Sequence, residues 1–220
     1  MDLGLNGKRA LITGSTAGIG EAAARMLAAE GAAVVVHGRN ELRGRTVCEG
    51  IRAAGGKAEL VLGDFSETAA AELAAAKALA GGNIDILVNN AGEYPNSAWE
   101  TCRPENWSRL YQVNVVAAMI LIQRLVPGMR ERGWGRVIQI GGGLAGQPFG
   151  SQPDYTATLA ARHNLAVSLA RNLKGSGVTS NIVSPGAVAV ASVRKLLQEL
   201  SPQYGWGETW AEIEAGCVRD

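Results

Sequence analysis

Short apolar runs alternate along this chain with longer segments in which apolar residues recur three or four positions apart. The first pattern is typical of buried parallel strands, and the second is typical of helices packed on them. Strands are predicted at residues 10–12, 32–36, 57–62, 84–88, 136–140 and 178–183. The alternation predicts an α/β fold of three layers, with a parallel sheet in the middle.

Three glycines interrupt the pattern between the first predicted strand and the helix that follows it. Gly14 permits a sharp turn with an unusual φ angle. Gly18 and Gly20 remove the Cβ atoms that would keep a pyrophosphate away from the backbone N–H groups at the helix start. The stretch predicts a dinucleotide-binding turn, although a simple strand-to-helix connection would have the same pattern.

Residues at the segment ends predict where the helices begin. Asn40 can cap a helix that runs to about residue 54 and ends at two glycines, and Ser66 can cap the alanine-rich helix after the third strand. Pro104 suits the first turn of a long helix that runs to about residue 130. Asn114 lies on the apolar face of that helix, where a buried amide needs hydrogen-bond partners.

Composition narrows the class of protein. The chain has 220 residues, of which 47% are hydrophobic, and 21 basic against 20 acidic residues. We expect one domain spanning residues 1–220, because no shift in composition marks a boundary. The net charge of +1, evenly spread, gives no footprint for nucleic acid or an anionic membrane. The three cysteines are widely spaced and lack the spacing of a metal site. We find no apolar run of membrane length and no signal-peptide pattern in the sequence. Together these features favour a cytoplasmic protein.

An ordered set of motifs gives the sequence a family likeness. The set consists of TGSTAGIG at 13–20, Asp64, NNAG at 89–92, Asn114, Tyr155 and the pair Pro185-Gly186. In these motifs the chain resembles the short-chain dehydrogenase/reductase family over residues 7 to about 190. The resemblance implies a doubly wound parallel sheet of Rossmann type. It also implies an oxidoreductase that uses a nicotinamide dinucleotide on a ketone or a secondary alcohol.

The resemblance further implies which residues surround the cofactor. Asp64 is expected to contact the amino group of the adenine ring, with the backbone of Phe65 beside it, although Asp64 could merely precede the helix cap. The paired asparagines at 89–90 are expected to tie strands together and to border the cofactor. The residues expected around the dinucleotide are Gly14, Ser15, Thr16, Gly18, Ile19, Gly20, Arg39, Asp64, Phe65, Asn90, Ala91, Gly92, Pro185 and Gly186.

The end of the second strand distinguishes NADP from NAD. In this fold an acidic residue at that point binds the ribose 2′-hydroxyl of NAD, whereas a basic residue accommodates the 2′-phosphate of NADP. No Asp or Glu follows residues 32–36 directly, and Arg39 can pair with a phosphate through two parallel hydrogen bonds. We predict NADP, with NAD as the less favoured cofactor; an ordinary solvated Arg39 is the alternative.

The catalytic motif departs from the family's pattern at three positions. The family has a Ser thirteen residues before its Tyr and a Lys four residues after it, and this chain has Gly142 and Leu159 there. A Thr that commonly lies five residues after the Pro of the Pro-Gly turn is replaced by Val190. By resemblance, Tyr155 is the proton donor in carbonyl reduction, and Asn114 holds a water in the proton relay.

The missing Lys bears on the charge of Tyr155. Without a neighbouring cation, we expect Tyr155 to stay near the reference pKa of about 10 and to be neutral at physiological pH. A neutral Tyr can still donate a proton, so alcohol oxidation should suffer more than reduction. Arg162 lies two turns further on the same helical face, but we expect its reach to be wrong for the ribose that the Lys binds. His37 and His163 are expected to be structural.

Two functions of different classes stay open. One is an NADP-dependent oxidoreductase with impaired catalysis. The other is a homologue that keeps the nucleotide cradle and binds a cofactor or a partner without turnover. Tyr94, Trp99 and the aromatic residues of a helical lid at about 192–217 favour an aromatic substrate pocket, or only pack a loop onto the sheet.

The end of the chain bears on assembly. Family members usually continue past the lid into another helix and a final strand, whereas this sequence stops at Asp220. If Asp220 is the true end, the sixth strand is an exposed edge and one of the family's usual association surfaces is missing. We expect a homo-oligomer; a nonfunctional fragment would instead aggregate through that edge.

Overall fold

The computed structural model describes residues 3–186 and 188–219. Within them, the strands are β1 (Arg9–Ile12), β2 (Ala33–Gly38), β3 (Lys57–Leu62), β4 (Ile86–Asn89), β5 (Gly135–Ile140) and β6 (Val178–Val183). The α-helices are α1 (Gly18–Ala29), α2 (Glu41–Ala53), α3 (Thr68–Ala80), α4 (Pro104–Tyr111), α5 (Ala117–Glu131), α6 (Pro153–Asn172), α7 (Ala191–Tyr204) and α8 (Trp210–Arg219). The chain end expected at Asp220 lies outside the described residues.

The six strands form one parallel sheet in the order β3-β2-β1-β4-β5-β6. Ile12 of β1 pairs with Val36 on one side and with Val88 on the other. The chain therefore proceeds outward from β1 in one direction and then returns to continue in the other. This is the doubly wound order predicted, and it opens a crevice outside the carboxyl ends of β1 and β4.

Two apolar cores cover the two faces of the sheet. On one face Leu11 and Leu87 pack with residues of α3 and α5, such as Leu121. On the other face Ile12 and Val34 pack with residues of α1 and α2. Successive strand residues point to opposite faces, and β1, β2 and β4 are buried on both, so these inner strands are mostly apolar. The three-layer prediction is confirmed.

Several local predictions are confirmed. The side chain of Asn40 caps α2 by accepting from the N–H of Arg43 at 2.9 Å, and α2 gives way to Gly55 with φ +87°. Pro104 is the first residue of α4. These positions follow from local chemistry, namely a capping oxygen, a glycine that tolerates positive φ and a proline without an N–H to satisfy.

Two helix predictions were wrong. The helix after β3 begins at Thr68, with Glu67 as its N-cap and no capping side chain, so Ser66 does not cap it. The long helix expected from Pro104 to about residue 130 is divided by a π-helical segment, Gln112–Val116, between α4 and α5. The apolar periodicity continues through this segment, which explains why the sequence did not signal it.

The helical stretch Pro104–Glu131 is long and apolar enough to cross a membrane by length and composition alone, with a mean hydropathy of 1.4. However, 56% of its apolar window is buried inside the protein, and Leu121 and Leu125 lie in the core. The core helix of a sheet-based domain has the same properties, so this stretch is weak evidence for a membrane span.

The chain forms two compact units, Met1–Pro185 and Gly186–Asp220. The first contains the sheet, and the second contains α7 and α8. Within the second unit, Tyr204 stacks on Trp206 with ring centroids 4.9 Å apart. The expectation of one domain over residues 1–220 stays a prediction.

Candidate active site

The turn between β1 and α1 brings its backbone close to the segment after β4. Gly14 has a φ of +63°, and a Cβ there would lie 2.9 Å from the Cα of Ala91. A Cβ on Gly20 would lie 2.4 Å from the carbonyl oxygen of Gly14. Gly18 begins α1, and the N-cap residue Ala17 makes no side-chain capping bond. The turn therefore excludes side chains and leaves the first N–H groups of α1 without a side-chain cap.

Thr13 and Asn90 hold this turn in place. The Nδ2 of Asn90 donates to the carbonyls of Thr13 and Gly14, both at 3.0 Å. The hydroxyl of Thr13 accepts from the backbone N–H groups of Asn90 and Ala91 at 3.0 and 2.9 Å. Asn90 thus ties the end of β4 to the turn after β1, as expected, whereas contact of Asn90 and Ala91 with a cofactor stays a prediction. Thr13, which the sequence analysis did not single out, joins the end of β1 to the end of β4.

Ser15 and Thr16 contact the end of β2. The Ser15 hydroxyl donates to the carbonyl of Ile12 at 2.7 Å and accepts from the N–H of His37 at 3.0 Å. A Cβ on Gly38 would lie 2.5 Å from the methyl carbon of Thr16. Both side chains therefore pack the turn against β2, and a direct cofactor contact of either stays a prediction.

His37 supports the glycine turn from the inside. It is 2% exposed, and its ring stacks on that of Phe65 with centroids 4.2 Å apart. Its Nδ1 accepts from the backbone N–H of Gly14 at 3.3 Å. Burial lowers the pKa of His37 to about 4, so the ring is neutral near pH 7. These contacts fit the structural role expected for His37.

Charged residues from the ends of three strands meet beside the turn. Arg39 Nη1 lies 2.8 Å from Glu93 Oε1 and 3.7 Å from Asp64 Oδ2. Arg109 Nη1 binds the other oxygen of Glu93 at 2.6 Å. A hydrogen bond from the backbone N–H of Ser66 lowers the pKa of Asp64, and the charges of Arg39 and Arg109 act in the same direction. Arg39 and Asp64, each expected near the cofactor, lie close to each other, and their contact with a cofactor stays a prediction. Glu93 and Arg109 were missed.

Asn114 lies in the π-helical segment and is 2% exposed. Its Oδ1 accepts from the N–H of Glu93 at 2.8 Å, and its Nδ2 donates to the carbonyl of Glu93 at 2.9 Å and to the hydroxyl of Thr158 at 3.0 Å. The prediction that this buried amide has partners is confirmed. The side chain joins the loop after β4 to α6, and π segments of this kind are frequent at functional sites.

Tyr155 lies half-buried in the first turns of α6, with the ring of Tyr94 6.0 Å away between centroids. Burial raises the pKa of Tyr155, while the charge of Arg162 opposes this rise. The expectation of an unperturbed Tyr155 without a neighbouring cation was therefore wrong. Tyr155 remains neutral near pH 7, as expected, because the net shift is upward.

The residue before Tyr155 anchors the loop that follows β4. Asp154 is fully buried; its Oδ1 accepts from the Ser97 hydroxyl at 2.5 Å and from the N–H of Tyr155 at 2.8 Å. Cys102 donates to its other oxygen at 3.3 Å. Asp154 thus fixes the start of α6 against this loop. The signal for this role in the sequence is an acidic residue in the first turn of a helix.

Gly142 and Leu159 occupy the positions of the family's Ser and Lys, and they lie next to each other. A Cβ on Gly142 would lie 3.2 Å from Leu159 Cδ1. Leu159 is 3% exposed. The two departures therefore form one apolar contact beside Tyr155 on α6, and no hydroxyl or amine is present at either position to orient a carbonyl.

Arg162 is buried on the same helix, at 4% exposure. It donates to the backbone carbonyls of Asn114, Ile140 and Ala91. Burial lowers its pKa to about 10, so it carries its charge near pH 7. The hydrogen bonds of Arg162 could not be predicted from the sequence, because backbone carbonyl oxygens have no signature in it.

The remaining predicted residues lie near these groups with fewer described contacts. A Cβ on Gly92 would lie 3.3 Å from Asn114 Oδ1, and one on Gly142 would lie 4.0 Å from the carbonyl oxygen of Pro185. Ile19 is half-buried in the first turn of α1. Gly186, like Val190, belongs to the second unit. Among the described residues, no three His, Cys, Asp or Glu side chains are grouped to hold a metal ion.

Comparison with known proteins points to one family. A family model described as short chain dehydrogenase matches residues 8–201. An uncharacterized oxidoreductase of Bacillus subtilis, YvaG, is 34% identical over 223 residues, an alignment that covers 100% of this chain and 82% of that protein.

Solved structures resemble the fold closely. The 3-oxoacyl (acyl-carrier-protein) reductase from Agrobacterium tumefaciens C58, with NADP bound, matches with a TM-score of 0.86 and 34% identity over 96% of this chain and 86% of that chain. L-sorbose reductase from Gluconobacter frateurii, complexed with NADPH and L-sorbose, matches with a TM-score of 0.87 and 33% identity over 93% and 79%. Both matches extend over most of this chain.

Proposed function

Because this chain belongs to the short-chain dehydrogenase family, we propose that it binds NADP(H) and reduces a carbonyl group of a small molecule, with Tyr155 as the proton donor. The observation that carries the proposal is the closed glycine turn. Cβ atoms at Gly14 and Gly20 would collide with backbone atoms, and Asn90 holds the turn through two hydrogen bonds. Such a turn is costly to build and fits a pyrophosphate at the start of α1.

Arg39 favours NADP over NAD as the cofactor. It directly follows β2, where an acidic residue would instead bind the ribose hydroxyl of NAD. Arg39 and Arg109 both bind the carboxylate of Glu93, so two guanidinium groups already converge on anionic oxygens. The two solved relatives described above are complexed with NADP and NADPH. A 2′-phosphate in place of the Glu93 carboxylate would find matched donors.

Tyr155 supplies the proton in the proposed reaction. The bound dinucleotide would supply the hydride to the substrate carbon. Because burial raises its pKa, Tyr155 keeps its proton near pH 7 and can donate it to the carbonyl oxygen. Alcohol oxidation needs Tyr155 as a base, so the raised pKa favours the reductive direction.

Asn114 and Asp154 position the site from two sides. Asn114 fixes the backbone of Glu93, and Asp154 fixes the N–H of Tyr155. The Oδ1 of Asn114 has two lone pairs and accepts from Glu93 with one of them. The other can hold the relay water that the family resemblance implies.

Impaired turnover is the second part of the proposal. With Gly142 and Leu159, no hydroxyl orients the carbonyl and no amine lies four residues after Tyr155. Loss of acid–base help typically costs about 10² to 10⁴ in rate. The same departures favour the alternative, a homologue that binds the nucleotide or a partner without catalysis.

Two further features support proposals on the substrate and on assembly. Tyr94 beside Tyr155 supports a substrate with an apolar or aromatic group. A groove of about 510 Å³ between α5 and α6, half of whose lining side chains are apolar, Val126 and Leu169 among them, supports self-association of the chain as a homo-oligomer. Buried Cys48 and the hydrogen-bonded Cys102 fit a reducing, cytoplasmic location.

Calorimetric titration with NADPH, and with NADH in parallel, tests the cofactor part of the proposal. We expect saturable binding that prefers NADPH. The reaction is tested by NADPH-linked reduction of a generic diketone, with Tyr155→Phe as the matched control because it removes only the hydroxyl. Binding without any Tyr155-dependent reduction would favour the binding-only alternative. A folded chain that binds neither nucleotide would contradict both functions.

A further inference from the structure

A single guanidinium joins three segments that meet at α6. Arg162 Nε donates to the backbone carbonyl of Asn114 at 2.5 Å, Nη1 donates to that of Ile140 at 2.7 Å, and Nη2 donates to that of Ala91. These carbonyls belong to the π segment, to the end of β5 and to the loop after β4. Arg162 therefore connects the segment that carries Asn114 with the segment that borders the glycine turn.

No acidic side chain in the described part of the chain pairs with the charge of Arg162. None of the ion pairs among the described residues includes it, although it is 4% exposed. The carboxylate of Glu93, two residues after Ala91 in the chain, is bound to Arg39 and Arg109. Burying an unpaired guanidinium is costly, and neutral donors could satisfy three carbonyls more cheaply. A retained buried charge is therefore available to a negative charge that develops beside it.

Tyr155 is the group on which this charge acts. It precedes Arg162 by seven residues, which places both on one face of α6 two turns apart. The charge of Arg162 lowers the pKa of Tyr155 against the larger effect of burial, whereas Tyr94 raises it. His163, the next residue on α6, hydrogen-bonds Ser184 instead. Among the described residues, Arg162 is thus the one cation whose charge acts on the pKa of Tyr155.

We propose that Arg162 is the cation of this site, which positions Asn114 and the loop after β4 and stabilises the negative charge that Tyr155 acquires on giving up its proton. In this step the O–H bond of Tyr155 breaks, the proton goes to the carbonyl oxygen that becomes the alcohol, and the electron pair stays on the phenolate. The catalytic consequence rests on the proposed reductase function. The effect on Tyr155 itself does not.

The apolar residue at position 159 fits this arrangement. Leu159 and Arg162 are neighbours on α6, three positions apart, and both are buried. A Lys at 159 would place a second buried cation within one turn of Arg162, where the two like charges would repel. In this chain the cation is Arg162, which lies about one turn after the position of the family's Lys on α6. Leu159 occupies the Lys position itself.

Titration of Tyr155 alone tests the proposal without any cofactor. We would place 3-fluorotyrosine at position 155 and follow its ionisation by fluorine NMR in the parent chain and in the Arg162→Gln and Arg162→Lys variants. The pKa should rise by about one unit or more in Arg162→Gln and stay within about half a unit of the parent value in Arg162→Lys. Arg171→Gln, at the exposed end of the same helix, is the matched control and should leave the pKa unchanged.

A folded Arg162→Gln variant with an unchanged Tyr155 pKa would overturn the proposal, as would equal shifts in the Gln and Lys variants. Should Arg162→Gln not fold, Arg162→Met with and without Leu159→Lys decides the question. Lys at 159 should then lower the Tyr155 pKa relative to Arg162→Met alone, and equal values would contradict a role for the charge.

Kinetics and calorimetry separate this inference from the proposed function. Arg162→Gln should lower kcat for diketone reduction by about 10-fold or more, with a smaller loss in Arg162→Lys, and should leave KM for the diketone nearly unchanged. Equal loss of kcat in both variants would contradict the charge role. Absence of NADPH binding to the parent chain would refute the proposed function, whereas the fluorine titration would still report on Arg162.

Discussion

At the scale of single residues, the two departures from the family's catalytic pattern constrain each other. Gly142 has an extended backbone, with φ −173°, so a Ser there brings no backbone strain. Its Cβ would, however, lie 3.2 Å from Leu159 Cδ1, which is closer than ordinary packing allows. A Ser at 142 is therefore compatible with the backbone but crowded by the leucine that fills the neighbouring position.

The double variant Gly142→Ser with Leu159→Lys should raise NADPH-linked reduction of a diketone by about 10-fold or more, because the returned orienting hydroxyl and amine outweigh the repulsion between that amine and Arg162. Gly142→Ser alone should gain less, since the serine presses against Leu159. Gly143→Ser is a suitable control, because a Cβ there would meet nothing within 4 Å. A folded double variant with an unchanged rate would show that the scaffold does not assemble a working site.

If NADP binds as proposed, Glu93 and the 2′-phosphate compete for Arg39. The Glu93→Gln variant should therefore bind NADPH about 3- to 10-fold more tightly, which corresponds to about 1 kcal/mol, the size of one exposed ion pair. Its affinity for NADH should change little. Glu72→Gln, which removes an ion pair with Arg124 on α5, serves as the control. Tighter binding of both nucleotides to the same extent would argue against a contact between Arg39 and the phosphate.

The site residues divide into those that sequence can predict and those that it cannot. Gly14, Asn114 and Tyr155 were predictable, because a turn, a buried amide and an ordered motif leave recognisable residue types. Glu93 and Arg162 were not. Their partners are an arginine remote in sequence and backbone carbonyls, and only the folded chain brings these together.

At the scale of elements, the strands were more predictable than the interruption in the long helix. Burial on both faces makes the inner strands β1, β2 and β4 short, mostly apolar runs. The predicted β6, at the edge of the sheet, matches residue for residue. The π segment has no comparable signal, because one extra residue in a turn barely changes the apolar spacing. What marks it in the structure is Asn114, whose side chain joins three elements.

Thr158 completes this junction by accepting from Asn114 and donating to the carbonyl of Tyr155 at 2.7 Å. Thr158→Val should lower the free energy of unfolding by about 1–2 kcal/mol, because it leaves one buried N–H of Asn114 without a partner. Urea denaturation measures this difference. Thr46→Val, at an exposed position of α2, should cost no more than about 0.5 kcal/mol. Equal losses in the two variants would mean that the Asn114 bond adds no stability.

At the scale of the whole molecule, the crevice outside the ends of β1 and β4 and the burial of His37 depend on the same sheet. The sheet order that creates the crevice also buries His37 between the glycine turn and Phe65. An unfolded chain would hold this histidine at its reference pKa of about 6.5. The folded chain holds it at about 4. The free energy of unfolding is therefore linked to the protonation of His37.

The sign of this linkage follows from the two pKa values. Between pH 6.5 and 4 the unfolded chain binds more protons at His37, so the stabilisation is present above pH 6.5 and is lost as the pH falls towards 4. From pH 7 to pH 5 the parent chain should lose about 2 kcal/mol more unfolding free energy than His37→Phe, which keeps the stack on Phe65 but cannot be protonated. Urea denaturation at both pH values measures the difference. His163→Gln, at the only other histidine, is the control and should lose as much unfolding free energy between pH 7 and pH 5 as the parent chain. If His37→Phe also loses as much as the parent chain, groups other than His37 cause the acid sensitivity.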